Sequence, residues 1–213
     1  MPVMPSPTYH KYDVTDYYGI APQYGTMADF ETYLDAAETH NIDTIIDLVV
    51  NHTSNYHPWF TEAVALYKNG NCYAEDSVCH YYNFSDTVKS GYSRINDFFY
   101  EARFWSGMPD LNLDNPYLRE EIRDICEVWL TKGVDGFRLD AVTSYYTNSN
   151  TKNIEFLAWL NTAIKEINPN AYVVAEGPWG TTSGEVVPYY ESQIDSFFNF
   201  PVSVTGNRIY TNI

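Results

Sequence analysis

The stretch GVDGFRLDAV, residues 133–142, sets Arg138 and Asp140 in a run that otherwise reads Val, Phe, Leu, Ala, Val. That composition is a strand buried on both sides. An ionised group costs several kcal/mol there unless it is paired or neutralised. Alternation puts Arg138 and Asp140 on one face and Phe137, Leu139 and Ala141 on the other. The apolar face meets helices, so the charged pair faces inward, where two readings are open: an ion pair serving only the core, or a working site.

The flanking sequence supplies the helices. DNPYLREEIRDICEVWLTKG (114–133) predicts a helix with Asn115 as N-cap, Pro116 at its first position, Leu118, Ile122, Ile125 and Trp129 on one face, and Gly133 as its stop. Downstream, Leu157, Leu160, Ile164 and Ile167 predict a helix over roughly 152–168, followed by the strand AYVVAEG (171–177) and a further strand in SFFNFPV (196–202). Upstream, Thr26 and Asp29 form a capping-box pattern ahead of Met27, Phe30, Leu34 and Ala37 at helical spacing, and the apolar run DTIIDLVV (43–50) comes next.

Helices alternating with doubly buried strands imply a parallel sheet wrapped by helices. Asp47, Asp140 and Glu176 each sit toward the C-terminal end of a predicted strand, the catalytic face of a TIM-type barrel. A doubly wound sheet would also place function at strand ends, but no glycine-rich phosphate loop opens any helix. The expected fold is therefore α/β, a TIM-type barrel. Asp140 to Glu176 is 36 residues, one ordinary strand–helix repeat, whereas Asp47 to Asp140 is 93, leaving a surplus of 57. That surplus is rich in Tyr, Phe and Trp, too aromatic for a disordered loop. It predicts an inserted subdomain between the strand ending near Asn51 and the helix starting at Pro116.

The carboxylates invite a chemical reading. An Arg beside Asp140 is expected to hold that carboxylate ionised, which suits a nucleophile. Glu176 follows Val173, Val174 and Ala175 with no basic residue adjacent, so desolvation is expected to raise its pKa, which suits a general acid. Two such groups facing one cavity are the parts of a retaining glycosidase. The competing reading leaves Arg138 and Asp140 as an internal pair and has Glu176 cap a helix or bind a backbone amide.

The whole chain has 213 residues, 45% of them apolar and 19% charged, and a formal charge of −16. This is a globular composition. The acidic balance argues against nucleic acid or an anionic membrane as a partner and favours a neutral partner or a cation. No stretch approaches the ~20 consecutive apolar residues of a membrane span, MPVMPSPTYH lacks the regions of a signal peptide, and nothing indicates an oligomeric state. Cys126 lies in an apolar helical stripe and reads as core. Cys72 and Cys79 flank an acidic, aromatic loop, where a disulfide and metal ligation together with His80 are both open. The acidic surface and this pair lean toward an extracellular location.

With these residues in place the chain resembles the α-amylase family, glycoside hydrolase family 13, built on a (β/α)8 barrel. DLVVNH (47–52), GFRLDAV (136–142) and AEG (175–177) resemble its first three signatures, MPDLN (108–112) its auxiliary signature, and YHKYDVTDYY (9–18) the segment after the second strand. The resemblance implies a retaining enzyme for α-glucosidic bonds of starch-derived oligosaccharides or related α-glucans, with Asp140 as nucleophile, Glu176 as general acid/base and Arg138 holding Asp140 ionised. It also implies that Tyr12 stacks on the sugar, Asp13 grips it, His52 bonds its hydroxymethyl group and Asp47 supports the site. Asn51 and Asp110 match calcium ligands, and no organic cofactor is implied. Ser144 departs from a histidine common at its position. VVNHTSNYHPWF and YHKYDVTDYYGI lean toward oligosaccharide-cleaving members. A transglycosylase of the same family and a non-catalytic amylase-like binding subunit are the alternatives. The resemblance places the chain at about strands two to six of a larger enzyme, MPVMP matching the tail of the second, and so implies a partial (β/α)8 barrel over 1–52 and 110–213 with the inserted subdomain over 53–109. The fourth signature, with the third catalytic carboxylate, is unmatched, so the isolated chain is expected to be inactive.

Overall fold

A computed structural model of the protein describes residues 2–178 and 183–200. Its elements follow in chain order as α1 (Met27–Thr39), β1 (Ile45–Leu48), α2 (Pro58–Lys68), β2 (Phe84–Ser85), β3 (Tyr92–Ile95), β4 (Phe98–Glu101), α3 (Pro116–Thr131), β5 (Gly136–Leu139), α4 (Asn150–Ile167), β6 (Tyr172–Ala175), α5 (Ser183–Val186) and β7 (Ser196–Phe197).

Local chemistry sets the boundaries. Thr26 and Asp29 close a complete capping box at α1. The Asn115 side chain accepts the Leu118 N–H at 3.0 Å and starts α3 behind Pro116. Gly133, at φ +98°, ends α3 in the left-handed region. The His57 ring accepts the Trp59 N–H at 3.1 Å and caps α2. The predicted face of α3 is buried, Trp129 completely, and its Nε1–H donates to the Tyr17 carbonyl at 2.8 Å. α4 begins two residues earlier than the periodicity predicts, because Ser149 caps it.

Four strands form one parallel sheet in the order β1-β5-β6-β7, and β2-β4-β3 form a separate antiparallel sheet within the long excursion between β1 and α3. The parallel sheet is the expected barrel arc. Residues 2–5, read as the tail of a further strand, form none. Met4 is buried, but the carbonyls of Val3 and Pro5 are taken by Ala21 and Thr15 in a turn-rich segment rather than by a neighbouring strand. The strand expected over 196–202 is confirmed at Ser196–Phe197, and residues 201–202 lie outside the described residues. Cys72 and Cys79 are joined by a disulfide, which excludes their joint metal ligation with His80, and Cys126 is buried in the core. Among the described residues no helix is long and apolar enough to cross a membrane.

The register positions the polar residues. Asp47 pairs with Arg138, and Arg138 with Val174, while Leu48, Leu139 and Ala175 form the next row. Paired residues in parallel strands point to the same face, so Asp47 and Arg138 share one face. Asp140 and Glu176 rejoin it one residue past the ends of their strands.

Candidate active site

Backbone bonds extend the register beyond the strand ends. The Asp140 N–H donates to the Leu48 carbonyl at 3.4 Å, and the Glu176 N–H donates to the Leu139 carbonyl at 2.8 Å. Ala141 has φ +48°, a conformation uncommon for a residue with a side chain. Its N–H donates to Glu176 Oε2 at 3.2 Å, so the backbone beside Asp140 is tied to the neighbouring carboxylate.

Arg138 lies at the centre. Its Nη1 donates to Asp47, to Asp140 Oδ1 at 2.7 Å and to the Tyr12 hydroxyl at 3.3 Å, and its Nη2 stands 3.0 Å from Glu176 Oε2. The sequence paired it with Asp140 alone. This overturns the expected electrostatic contrast. Glu176 does have a basic neighbour, supplied across the strands. Burial, helped by the charges of Glu176 and Asp47, outweighs Arg138 and pushes Asp140 up to about 6 rather than down. Both non-catalytic expectations are also realised as contacts, since Arg138 pairs with Asp140 and Glu176 binds a backbone amide. What they omit is that the cluster gathers three carboxylates on one guanidinium.

The remaining predicted residues assemble around it. The Tyr12 ring lies under the Arg138 guanidinium, 5.6 Å from centroid to Cζ. Asp13, 1% exposed, accepts from Ser6 Oγ at 2.5 Å and from Thr8 Oγ1, with His10 Nδ1 3.9 Å away. His52 is 2% exposed, and burial pushes its ring down to about 4, leaving a neutral imidazole. Among the described residues its buried Nε2 has no hydrogen-bond partner within bonding geometry. An unsatisfied buried polar group is costly unless a ligand completes it.

Asn51 and Asp110 are brought together at the seam between the end of β1 and the chain leaving β4. Asn51 Nδ2 donates to Asp110 Oδ1 at 3.3 Å, and the Arg103 N–H donates to Asp110 Oδ2 at 3.1 Å. Burial pushes Asp110 up to about 7, and the Glu101 charge adds to it. A cavity of about 270 Å³ beside it is lined by Asn83, Glu101, Arg103, Ser144 and Tyr145 among others. A buried carboxylate short of positive charge fits a hard cation. Among the described residues, however, no three His, Cys, Asp or Glu side chains gather for a metal. Calcium would have to draw its other oxygens from amides, backbone carbonyls and water.

Three aromatic neighbours escaped the sequence reading. Phe104 packs edge-on against His52 at 5.2 Å. Tyr145 is buried in the electrostatic field of Asp140, Arg138 and Glu176. Phe198 lies 5.5 Å from Arg138 Cζ. Phe198 sits in SFFNFPV, whose composition signalled only a strand.

The model of the α-amylase catalytic domain matches residues 1–212. The chain belongs to the α-amylase family. It is 43% identical over 203 residues to alpha-amylase 3 of Dictyoglomus thermophilum, covering 95% of this chain and 39% of that protein. It is 37% identical over 196 residues to the trehalose synthase/amylase TreS of Mycobacterium tuberculosis, covering 84% of this chain and 32% of that protein. Among solved structures it resembles Amy13B of Eubacterium rectale, with a TM-score of 0.91, 45% identity and coverage of 98% of this chain and 41% of that one. The α-amylase of H. orenii gives 0.79, 39% identity and coverage of 94% and 41%. The chain thus spans about two fifths of the length of the first of these curated relatives.

Proposed function

We propose that the intact protein is a retaining glycoside hydrolase for α-glucosidic bonds of starch-derived oligosaccharides or related α-glucans. Asp140 is its nucleophile and Glu176 its general acid/base. The observation that carries this is the Arg138 cluster, in which one guanidinium binds Asp140 and Glu176 at adjacent strand ends. Asp140, titrating near 6, is mostly ionised at neutral pH and can attack the anomeric carbon. Glu176 gives a proton to the departing oxygen, leaving a glycosyl ester on Asp140. Water then attacks that carbon, with Glu176 taking its proton.

Tyr12 supplies a stacking face, Asp13 a carboxylate for sugar hydroxyls, and neutral His52 a partner for the hydroxymethyl group. Asp47 holds Arg138 from the neighbouring strand. Residues 53–109 form an inserted subdomain over this end of the barrel, and Asn51 and Asp110 take part in binding calcium. The second fate of the intermediate is transfer to another sugar, and the relatives include proteins named trehalose synthase as well as alpha-amylase.

The test uses the intact protein on maltotriose. Asp140→Asn and Glu176→Gln should each lower kcat by about 10³-fold or more. Acid-quenched wild type should carry a glucosyl adduct on the peptide containing Asp140. An adduct on another residue rejects the assignment, and products longer than maltotriose mark transfer.

A further inference from the structure

Asp47 and Asp140 accept from Arg138 Nη1, and Glu176 Oε2 stands 3.0 Å from Nη2, so the three carboxylates hold the guanidinium through its two terminal nitrogens. They restrain tilting poorly, since all three partners carry the same charge and one contact can be traded for another. Resistance to tilt comes from groups against the guanidinium face. The guanidinium carbon lies over two rings, Tyr12 with its centroid 5.6 Å from Cζ and Phe198 at 5.5 Å, which supply contacts of that kind. Tyr12 also binds the guanidinium through its hydroxyl. Phe198 offers only its ring. Its backbone N–H donates to the Ala175 carbonyl at 3.0 Å, one residue before Glu176, so the chain past β7 that carries the ring is tied to the end of β6 that presents Glu176. It is 37% exposed and packs against Phe200, a modest contribution to the core.

We propose that Phe198 is a positioning residue, whose ring holds the Arg138 guanidinium flat so that one cation serves both Asp140 and Glu176. This rests on the reading of those two residues as the reacting pair. The charged and titratable groups facing Arg138 are Asp47 from β1, Asp140 past β5, Glu176 past β6, Tyr12 from the N-terminal segment and Tyr145 from the loop after β5. Without the ring the guanidinium gains freedom, its mean attraction for Asp140 weakens, and that carboxyl holds its proton to higher pH.

The experiment compares Phe198→Leu with Phe198→Tyr in the intact protein on maltotriose, across the full pH profile. Phe198→Leu, which keeps an apolar bulk without a π face, should lower kcat roughly 3- to 30-fold with little change in KM and move the acid limb of kcat/KM upward. Phe198→Tyr should restore both. Equal kcat and equal pH profiles for the two variants overturn the proposal, as does a rise in KM alone, which would mark a direct sugar contact. If Phe198→Leu does not fold, Phe198→Met carries the same comparison. Asp140→Asn and Glu176→Gln run alongside: full activity in these rejects the reaction itself, whereas inactive controls with an unaffected Phe198→Leu reject only the positioning role.

Discussion

Arg138 carries one positive charge among three carboxylates, and that imbalance governs what the site does at different pH values. Asp140 remains above its ordinary range, at about 6, because burial and two like charges outweigh the guanidinium. The nucleophile role proposed for Asp140 requires it ionised, so kcat/KM of the free intact enzyme should fall as pH drops below about 6, a limb that a pH–rate profile measures directly. Arg138→Lys should move that limb upward and cost on the order of 10²-fold or more in kcat, because an ammonium is a point charge that cannot span Asp140 and Glu176 together. A Lys variant with wild-type kcat would show that bridging is unimportant. Alternation along one strand made Arg138 and Asp140 legible in the sequence as an inward pair. The contact with Glu176 was not legible, because it depends on cross-strand register, which no local pattern encodes.

At the level of elements, caps were the most readable feature. Thr26, Asp29 and Asn115 form the bonds that their identities and spacing imply. His57 was missed as a cap, since histidine is not among the residues preferred there. Its Nδ1 accepts the Trp59 N–H, and its ring packs 4.3 Å from Trp59 and 5.6 Å from Tyr17. Burial pushes the ring down to about 4, below the ordinary value of 6.5. Between those values the unfolded chain binds a proton that the folded chain refuses, so the stability contributed by neutral His57 is complete above about 6.5 and is lost as pH falls toward 4. Protonation would also remove the lone pair that makes the cap. His57→Asn keeps a capping acceptor without the titration. Melting curves should therefore show a smaller drop in Tm between pH 7.5 and 4.5 than in wild type, whatever the absolute change from lost ring packing. An equal drop in both proteins would remove His57 as a source of acid sensitivity. Asn115→Ala should lower stability by about 1 kcal/mol, read from the denaturation midpoint, because the Leu118 N–H loses its partner.

Across the whole molecule, the parallel sheet was legible because helical and strand periods alternate around it. The excursion between β1 and α3 was legible only as a surplus of length. Its strands are two to four residues long, too short for alternation to register, and its core is built from aromatic contacts among Phe60, Tyr67, Phe84, Phe98 and Tyr100. The excursion is sewn back to the sheet at a seam where His52 bridges Asp110, the Leu111 N–H donates to the Asn51 carbonyl at 2.9 Å and the Thr53 N–H donates to the Pro109 carbonyl at 3.1 Å. Asp110 is the costly member of that seam, a buried carboxyl held near 7 and bonded by an amide and a backbone N–H, with no cationic side chain among its hydrogen-bond donors in the described residues. A cation there would relieve Asp110 and join two parts of the chain at once. Calcium at 100 times its Kd should stabilise the intact protein by about 2.7 kcal/mol, visible as a rise in Tm that a chelator reverses. Asp110→Asn should abolish the calcium dependence while leaving the chelated protein no less stable than chelated wild type, because the buried charge is gone. A Tm unmoved by calcium and by chelator in the wild type would instead mean that amide, backbone and water satisfy the seam without a metal.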